Sequence, residues 1–283
     1  MSRTCLICGK ESFKTEFIED GIPILRCRHC GHVCSTYQPP EHYAGYFGDE
    51  SLPGDAEFDY WGKAHFAMYA EFARRYMVGK PGKILDVGCG LGYFLAQAKQ
   101  ISGWEIYGCE TSPVAVEFGK MRLGIETLYQ GPLETAPHSP ESFEIITLWD
   151  VLEHIPQPDA LLKKSYSLLK PGGILFLHTP NANIQLPKAK LKKALFGMKE
   201  GMHFLEAKDH CQLYTPQTLA ALLKRNGFNE ITLTHLPPIM AVSGSNAPLK
   251  VALKRGWYYG AKTLSALSLG KFNLDNLFCQ AQK

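Results

Sequence analysis

The sequence predicts an α/β protein: a parallel sheet with helices on both faces, preceded by a small metal-bound module. Three observations lead there. The segments KILDVG, WEIYGCE, FEIITLWD and GGILFLHTP read as buried strands, and helical periods separate them. A glycine-rich turn, VGCGLG, carries the first of these strands into a helix. Two Cys-x-x-Cys pairs lie ahead of everything else. With 283 residues, 45% hydrophobic and 20% charged, the chain can build one large domain and one small one. A net charge of +3 is too mild to argue for nucleic acid or membrane by itself. No run reaches the roughly 18 uncharged apolar residues of a membrane span, and MSRTCLICGK lacks the apolar core of a signal peptide. A cytoplasmic location is the expectation.

From the amino end, residues 1–37 read as a zinc ribbon. Cys5 and Cys8 are separated from Cys27 and Cys30 by eighteen residues, within the range of a four-thiolate zinc site. Each pair runs into a glycine, and FKTEFIEDGIPILRC between them reads as two short strands about an Asp-Gly turn. His29, His32 and Cys34 lie close enough to substitute as ligands, although the spacing favours ordinary surface positions for them. Four thiolates leave no open coordination position, so this zinc is structural. A module this short needs such a staple.

Residues 38–55, rich in Pro, Gly and Tyr, form a connector, and 56–283 form the main domain. Its first helix spans 58–78. Further helices are expected near 92–101, 112–122, 157–169 and 215–227, with later strands at ITLTHLPP and NLFCQAQK. The first strand ends in Asp86 and passes through Gly88, Gly90 and Gly92, which lets the backbone approach a ligand and exposes amides at the helix start. The GxGxG spacing fits a dinucleotide less well than GxGxxG would. One strand later Glu110 stands at a strand tip, where a carboxylate can accept both hydroxyls of a ribose.

Together LDVGCGLG, the Glu110 tip, LWDVLEH and LLKPGGILFLHTPN resemble the class I S-adenosylmethionine-dependent methyltransferases, over about 56–237. The resemblance implies a Rossmann-like sheet, with Asp86, Gly88, Cys89, Gly90 and Gly92 on the methionine and ribose side of the cofactor. It also implies Glu110 at the ribose, Leu133 at the adenine, and Trp149 and Asp150 near the sulfonium. With its ribbon, WDVLEHIP and DHCQLYTPQTLAALLKRNGF, nearly the full length of the chain resembles the bacterial group called methyltransferase 23, some of whose members methylate quinone precursors, sugars or secondary metabolites.

Methyl transfer from a sulfonium is a displacement, and a hydroxyl acceptor needs help in losing its proton. If a helix starts directly after FEIITLW, then Asp150, Glu153 and His154 stand at i, i+3 and i+4 and form one patch. In quinone-biosynthesis O-methyltransferases and small-RNA 2′-hydroxyl methyltransferases, a resembling acid-x-x-Glu-His with a later His holds a divalent metal. That resemblance adds His210 as the fourth member, with Asp150 a shorter first acid than the pattern uses. Metal binding, base catalysis by His154 and plain helix capping all stay open on these residues. The Asn/Asp-Pro-Pro-aromatic motif that resembling amino methyltransferases of nucleic-acid bases use does not follow the fourth strand, nor does the Pro-Cys nucleophile of the pyrimidine C5 type, so the resemblance implies an oxygen or activated-carbon acceptor. Cys89, Cys109 and Cys211 read as buried fillers.

Two basic amphipathic stretches complete the chain. Residues 188–204 suggest a lid. A helical insertion at about 247–270 joins Lys250, Lys254, Arg255 and Lys262 to Trp257, Tyr258 and Tyr259, as a lid or packing element with a solvated face, or as a peripheral membrane contact. The favoured reading is methylation of a small-molecule hydroxyl. The alternatives are an RNA methyltransferase, with Arg26 and Arg28 on phosphate, and a zinc-ribbon interaction protein with a vestigial methyltransferase fold; the modest charge speaks against nucleic acid.

Overall fold

The computed structural model describes residues 3–38, 55–198, 201–239, 248–268 and 273–283. The expected connector falls outside these residues apart from its two end positions, as do the outermost positions of the 247–270 insertion. The amino-terminal module is a hairpin of β1 (Phe13–Glu19) and β2 (Ile22–Cys27) followed by β3 (Val33–Ser35). Asp20 and Gly21 both take positive φ, 49° and 75°, the requirement of a two-residue turn that matches strand twist. The sheet has a fourth strand, Gln212–Leu213, drawn from far down the chain and paired antiparallel with β3. Phe17, Ile24 and Val33 of the ribbon share a buried cluster with Leu186, Leu205 and Leu213. The ribbon therefore shares its sheet and its core with the main domain.

The main domain begins with α1 (Asp55–Tyr76), β4 (Gly82–Val87), α2 (Tyr93–Ala98), β5 (Trp104–Glu110), α3 (Pro113–Leu123) and β6 (Leu128–Gln130). It continues through β7 (Phe143–Trp149), α4 (Asp159–Leu168), β8 (Leu169–Thr179), α5 (Ala182–Phe196) and β9, the Gln212–Leu213 strand. Last come α6 (Pro216–Arg225), β10 (Asn229–Thr234), α7 (Pro248–Leu267) and β11 (Leu277–Gln282). Seven strands form one sheet in the order β10-β11-β8-β7-β4-β5-β6, with β11 antiparallel to both its neighbours and the β4 to β8 pairs parallel. Successive residues serve opposite faces. Ile84, Ile145 and Phe176 join the layer beneath α1 and α2, while Leu85, Ile146 and Leu175 join the layer beneath α4 and α6. Both layers are buried, so the strands read as near-continuous apolar runs. Strand order reverses between β4 and β7, which places a crevice at their carboxyl ends.

Two local expectations are corrected. No α-helix follows β7: Asp150 takes φ 52°, a single 3₁₀ turn covers Leu152–His154, and α4 starts only at Asp159. Pro156 and Pro158 explain this, because a residue ahead of proline is driven out of the α region. Asp150, Glu153 and His154 consequently do not share a helix face, and none of the three caps α4. The basic stretch from 188 is the end of α5, tied to the ribbon rather than presented as a cover: Lys190 pairs with Glu16, and Lys193 lies over the Phe17 ring. In α7 the Tyr258 ring is buried, Lys254 donates to the Ile239 carbonyl and Trp257 to the Leu274 carbonyl, while Leu253 and Tyr259 face outward. Among the described residues no helix is long and apolar enough to cross a membrane.

Candidate active site and thiolate cluster

A cavity of about 580 Å³ opens at the switch point. Its wall includes Asp86, Gly88, Cys89, Gly90, Glu110, Leu133, Trp149 and Asp150, eight of the nine positions assigned to the cofactor from sequence. Gly92 is the ninth and stands behind the wall. It is the N-cap of α2 at φ 87°, and a Cβ there would lie 2.9 Å from Ile125, so its role is helix packing. Gly88 sits at φ 65° with Val151 close above it: a Cβ would come within 2.8 Å of that side chain. The bare backbone at 88 is what lets the segment after β7 close down on the glycine loop.

Glu110 ties that loop together. Its carboxylate accepts from the Gly90 amide at 2.9 Å, from the Ser112 amide at 2.9 Å and from the Thr111 hydroxyl at 3.2 Å. Two carboxylate oxygens offer about four lone-pair sites, so beside these three contacts one site is left for a ribose hydroxyl. Asp86 is 2% exposed and accepts from Thr147 at 2.7 Å. Burial pushes its carboxyl up to about 8, against the Thr147 hydrogen bond and with help from Glu110. Such a group becomes anionic readily once a cation arrives beside it. The glycine loop, the Glu110 tip and the volume of the cavity fit an adenosine cofactor bearing a sulfonium.

Of the acid and imidazole groups, Asp150 and His154 line the same cavity, and Glu153 and His210 do not. Glu153, His154 and His210 bring ligand atoms within 4.8 Å of one another. Glu153 is 1% exposed, neither of its oxygens has a hydrogen-bond partner, and the Thr179 hydroxyl stands nearby outside hydrogen-bond geometry. Burial, then the charge of Asp150, pushes the Glu153 carboxyl well up. His154 donates from Nδ1 to the Asp209 carbonyl at 3.0 Å, which leaves the neutral ring's Nε2 without a proton. His210 lies edge-on to it at 4.9 Å and meets Glu206 at 3.2 Å; burial holds its imidazole below the usual range. Asp150 does not join the trio. Solvent reaches it through the cavity, its side chain being 40% exposed, although protein surrounds it on every other side. Burial would raise its carboxyl, but His178, 2.8 Å away, and then His65 and His210 hold it low. Its left-handed backbone is uncommon outside glycine.

Sequence reasoning missed Tyr69, His65 and His178. Tyr69 and His65 come from α1 to line the cavity. Burial, with Asp86 and Asp150 close by, pushes the Tyr69 phenol up. Its helical period marked it as core. His178 ends the β8 strand directly beside β7, a position at which a polar residue in an apolar run was the available signal.

In the ribbon, Cys5, Cys8, Cys27 and Cys30 bring their sulfurs within 4.8 Å, with Cys5–Cys30 and Cys8–Cys27 at 3.5 Å. Burial pushes the Cys5 and Cys30 thiols up, the neighbouring thiols adding to the rise at Cys30. At Cys27 burial is overcome by the Cys30 and His29 amides, which draw the thiol down to about 7. Thiols packed this closely ionise together only around a cation, and the donor set suits zinc. Neither His32 nor Cys34 is a surface residue: both are buried, and His32 donates to Gln212 at 2.8 Å. Arg26 is taken up by Glu16 and the Gly31 carbonyl, and Arg28 by the Phe13 carbonyl.

A family model described as a methyltransferase domain, methyltransferase 23, matches residues 63–233. The chain belongs to this family. Its main domain is thus a class I S-adenosylmethionine-dependent methyltransferase domain. Among curated proteins it is similar to the ubiquinone biosynthesis O-methyltransferase of Pseudomonas putida strain W619, 37% identical over 114 residues, 38% of this chain and 47% of that one. The protein of the same name from Vibrio atlanticus is 28% identical over 54% of this chain and 66% of its own length. The chain spans about half the length of the curated relatives it matches. Among solved structures, phosphoethanolamine N-methyltransferase 2 of Haemonchus contortus in complex with S-adenosyl-L-methionine aligns with a TM-score of 0.55. It is 18% identical, over 83% of this chain and 58% of that one. The methyltransferase in complex with the Trm112 activator from Haloferax volcanii gives 0.55 at 14% identity, over 81% and 94%. These two likenesses establish the fold.

Proposed function

We propose that this methyltransferase acts on a hydroxyl of a small molecule, of the quinone-precursor, sugar, polysaccharide-precursor or secondary-metabolite kind. Glu153, His154 and His210 would hold a divalent cation beside the acceptor. The observation that carries the reading is the buried Glu153 carboxyl, which lacks a hydrogen-bond partner yet lies beside two imidazoles. An unpaired buried carboxyl is expensive, and a cation held between it and two nitrogens removes the cost. The O-methyltransferase relatives support oxygen as the acceptor atom.

The chain's own groups have separable tasks. Asp86, Gly88, Cys89, Gly90, Glu110, Leu133 and Trp149 hold S-adenosylmethionine, and Asp150 faces the acceptor side of the same cavity. The acceptor oxygen gives its proton to solvent and attacks the methyl carbon, the carbon–sulfur bond breaks, and the sulfonium leaves as a neutral thioether. A divalent cation, when bound, lowers the pKa of an acceptor hydroxyl. A second reading rests on the His154–Asp209 bond: with Nδ1 committed, Nε2 takes the acceptor proton without any metal. Cys5, Cys8, Cys27 and Cys30 hold a structural zinc, and reduced thiolates of this kind accord with a cytoplasmic location.

The test is transfer of the radiolabelled methyl group of S-adenosylmethionine to a panel of catechols, sugars and hydroxylated metabolites, by wild type and Glu153→Ala. O-methylated product, with turnover lowered about 100-fold or more in the variant, is expected. Full activity of Glu153→Ala would remove the metal reading, full activity of the Glu153→Ala, His154→Ala double variant would remove both, and activity of the wild type surviving chelation would select the His154 reading.

A further inference from the structure

One loop separates the ribbon from the imidazole pair, and the ribbon holds it from several directions. Glu19, at the end of β1, is 1% exposed, and its carboxylate accepts three backbone amides: Phe204 at 2.5 Å, Leu205 at 2.9 Å and Ala207 at 2.7 Å. Ser35 donates its hydroxyl to the Ala207 carbonyl at 2.6 Å and its amide to the Cys211 carbonyl at 3.0 Å. His210 lies between these anchors, and the Asp209 carbonyl that orients His154 belongs to the same loop. Gln212 closes the circuit: it accepts from His32 of the ribbon at 2.8 Å and donates to the Pro156 carbonyl, two residues beyond His154, at 3.0 Å. A buried carboxylate that gathers three amides fixes a loop far more strongly than a neutral contact would.

We infer that the ribbon is the positioning half of the acceptor site, with Glu19 and Gln212 as positioning residues that set the placement of His154 and His210. The inference rests on the reading that these two imidazoles serve the acceptor. It goes beyond a ribbon whose zinc only stabilises its own fold, because the anchors lie on the catalytic loop and not among the thiolates. Partners of this outer kind typically govern metal affinity by about 10–100-fold.

The experiment uses the full zinc-loaded chain as wild type, Glu19→Gln, Gln212→Leu and Glu153→Ala. Three quantities are read: zinc per chain with S-adenosylmethionine affinity by calorimetry, Mn²⁺ uptake by paramagnetic resonance, and amide hydrogen exchange over 152–156 and 204–212. Glu19→Gln and Gln212→Leu are expected to keep their zinc and cofactor affinity, to weaken Mn²⁺ binding about tenfold or more, and to quicken exchange in both segments. A role confined to stability would leave Mn²⁺ affinity at the wild-type value in protein that is still folded and zinc-loaded, and that result overturns the inference. If wild type and Glu153→Ala alike take up no Mn²⁺ at the cluster, the metal reading fails on its own. Exchange over 152–156 then decides: quickened in the ribbon-side variants, it supports positioning; unchanged, it refutes it.

Discussion

Replacing Asp86 by asparagine should make the cofactor-free protein more stable, by an amount that grows with pH. The carboxyl is almost fully buried, with one hydrogen bond from Thr147, and titrates at about 8 in place of 3.8. The sign follows from which state holds the proton. Below pH 3.8 both folded and unfolded chains are protonated and the residue has no effect. Between 3.8 and about 8 the unfolded chain gives up its proton while the folded chain keeps it, so stability falls as pH rises and levels off above 8. At about 1.4 kcal/mol per unit the full loss is on the order of 5 kcal/mol, an upper bound because relaxation and water entry soften it. Asparagine keeps the acceptor for Thr147 and has no charge to bury. Urea unfolding without cofactor should therefore show the variant's advantage widening by up to ~4 kcal/mol between pH 5 and pH 8. Calorimetry in buffers of different ionisation enthalpy should show proton release on S-adenosylmethionine binding near pH 7 in wild type and none in Asp86→Asn. An equal difference at both pH values, or a variant less stable at pH 8, would refute the argument.

Gly88→Ala should cost about 1–2 kcal/mol from its left-handed backbone alone, and should weaken cofactor binding by displacing Val151; Val151→Ala in the same chain should recover part of that binding, read by calorimetry. Glu16 is held at about 2: burial opposes its charge, but Lys14, Lys190 and Arg26 more than compensate. Because that value lies below the unfolded one, the stabilisation is present above pH 4.5 and disappears as pH falls through 2; Glu16→Gln should lose about 2 kcal/mol at pH 7 and nothing near pH 2. Phe72→Ala removes a fully buried ring packed on Phe94, Trp149 and Phe176 and should cost about 3–5 kcal/mol in chemical unfolding, with the cofactor cavity altered through Trp149.

The parts legible in the sequence were those encoded by neighbours. The Asp20-Gly21 turn, the strand-to-glycine step at Asp86 and the acid at the tip of β5 each depend on a few adjacent residues. The helix expected at Asp150 failed for an equally local reason, two prolines whose effect outweighed the acid spacing. Gly92 was assigned to the ligand when its Cβ space belongs to Ile125, a partner no local pattern reveals. Glu19 was passed over because its three amides lie more than 180 residues away. A lone acid ahead of Asp-Gly looks like any turn-flanking surface residue. His178 faces Asp150 only once β7 and β8 are in register.

The short β9 strand bears on how this protein is made. The ribbon sheet is completed only when Val33 and Cys34 meet Leu213 and Gln212, so its last edge waits until most of the chain has been synthesised. Cys5, Cys8, Cys27 and Cys30 leave the ribosome before Gln212 and Leu213 do, so the four sulfurs can gather while that edge is still open. The ribbon would then wait as a half-built template for the segment that carries His210. For the same reason a graft or truncation at residue 37 would part β9 from the sheet of β1 to β3 and expose the edge of the remainder.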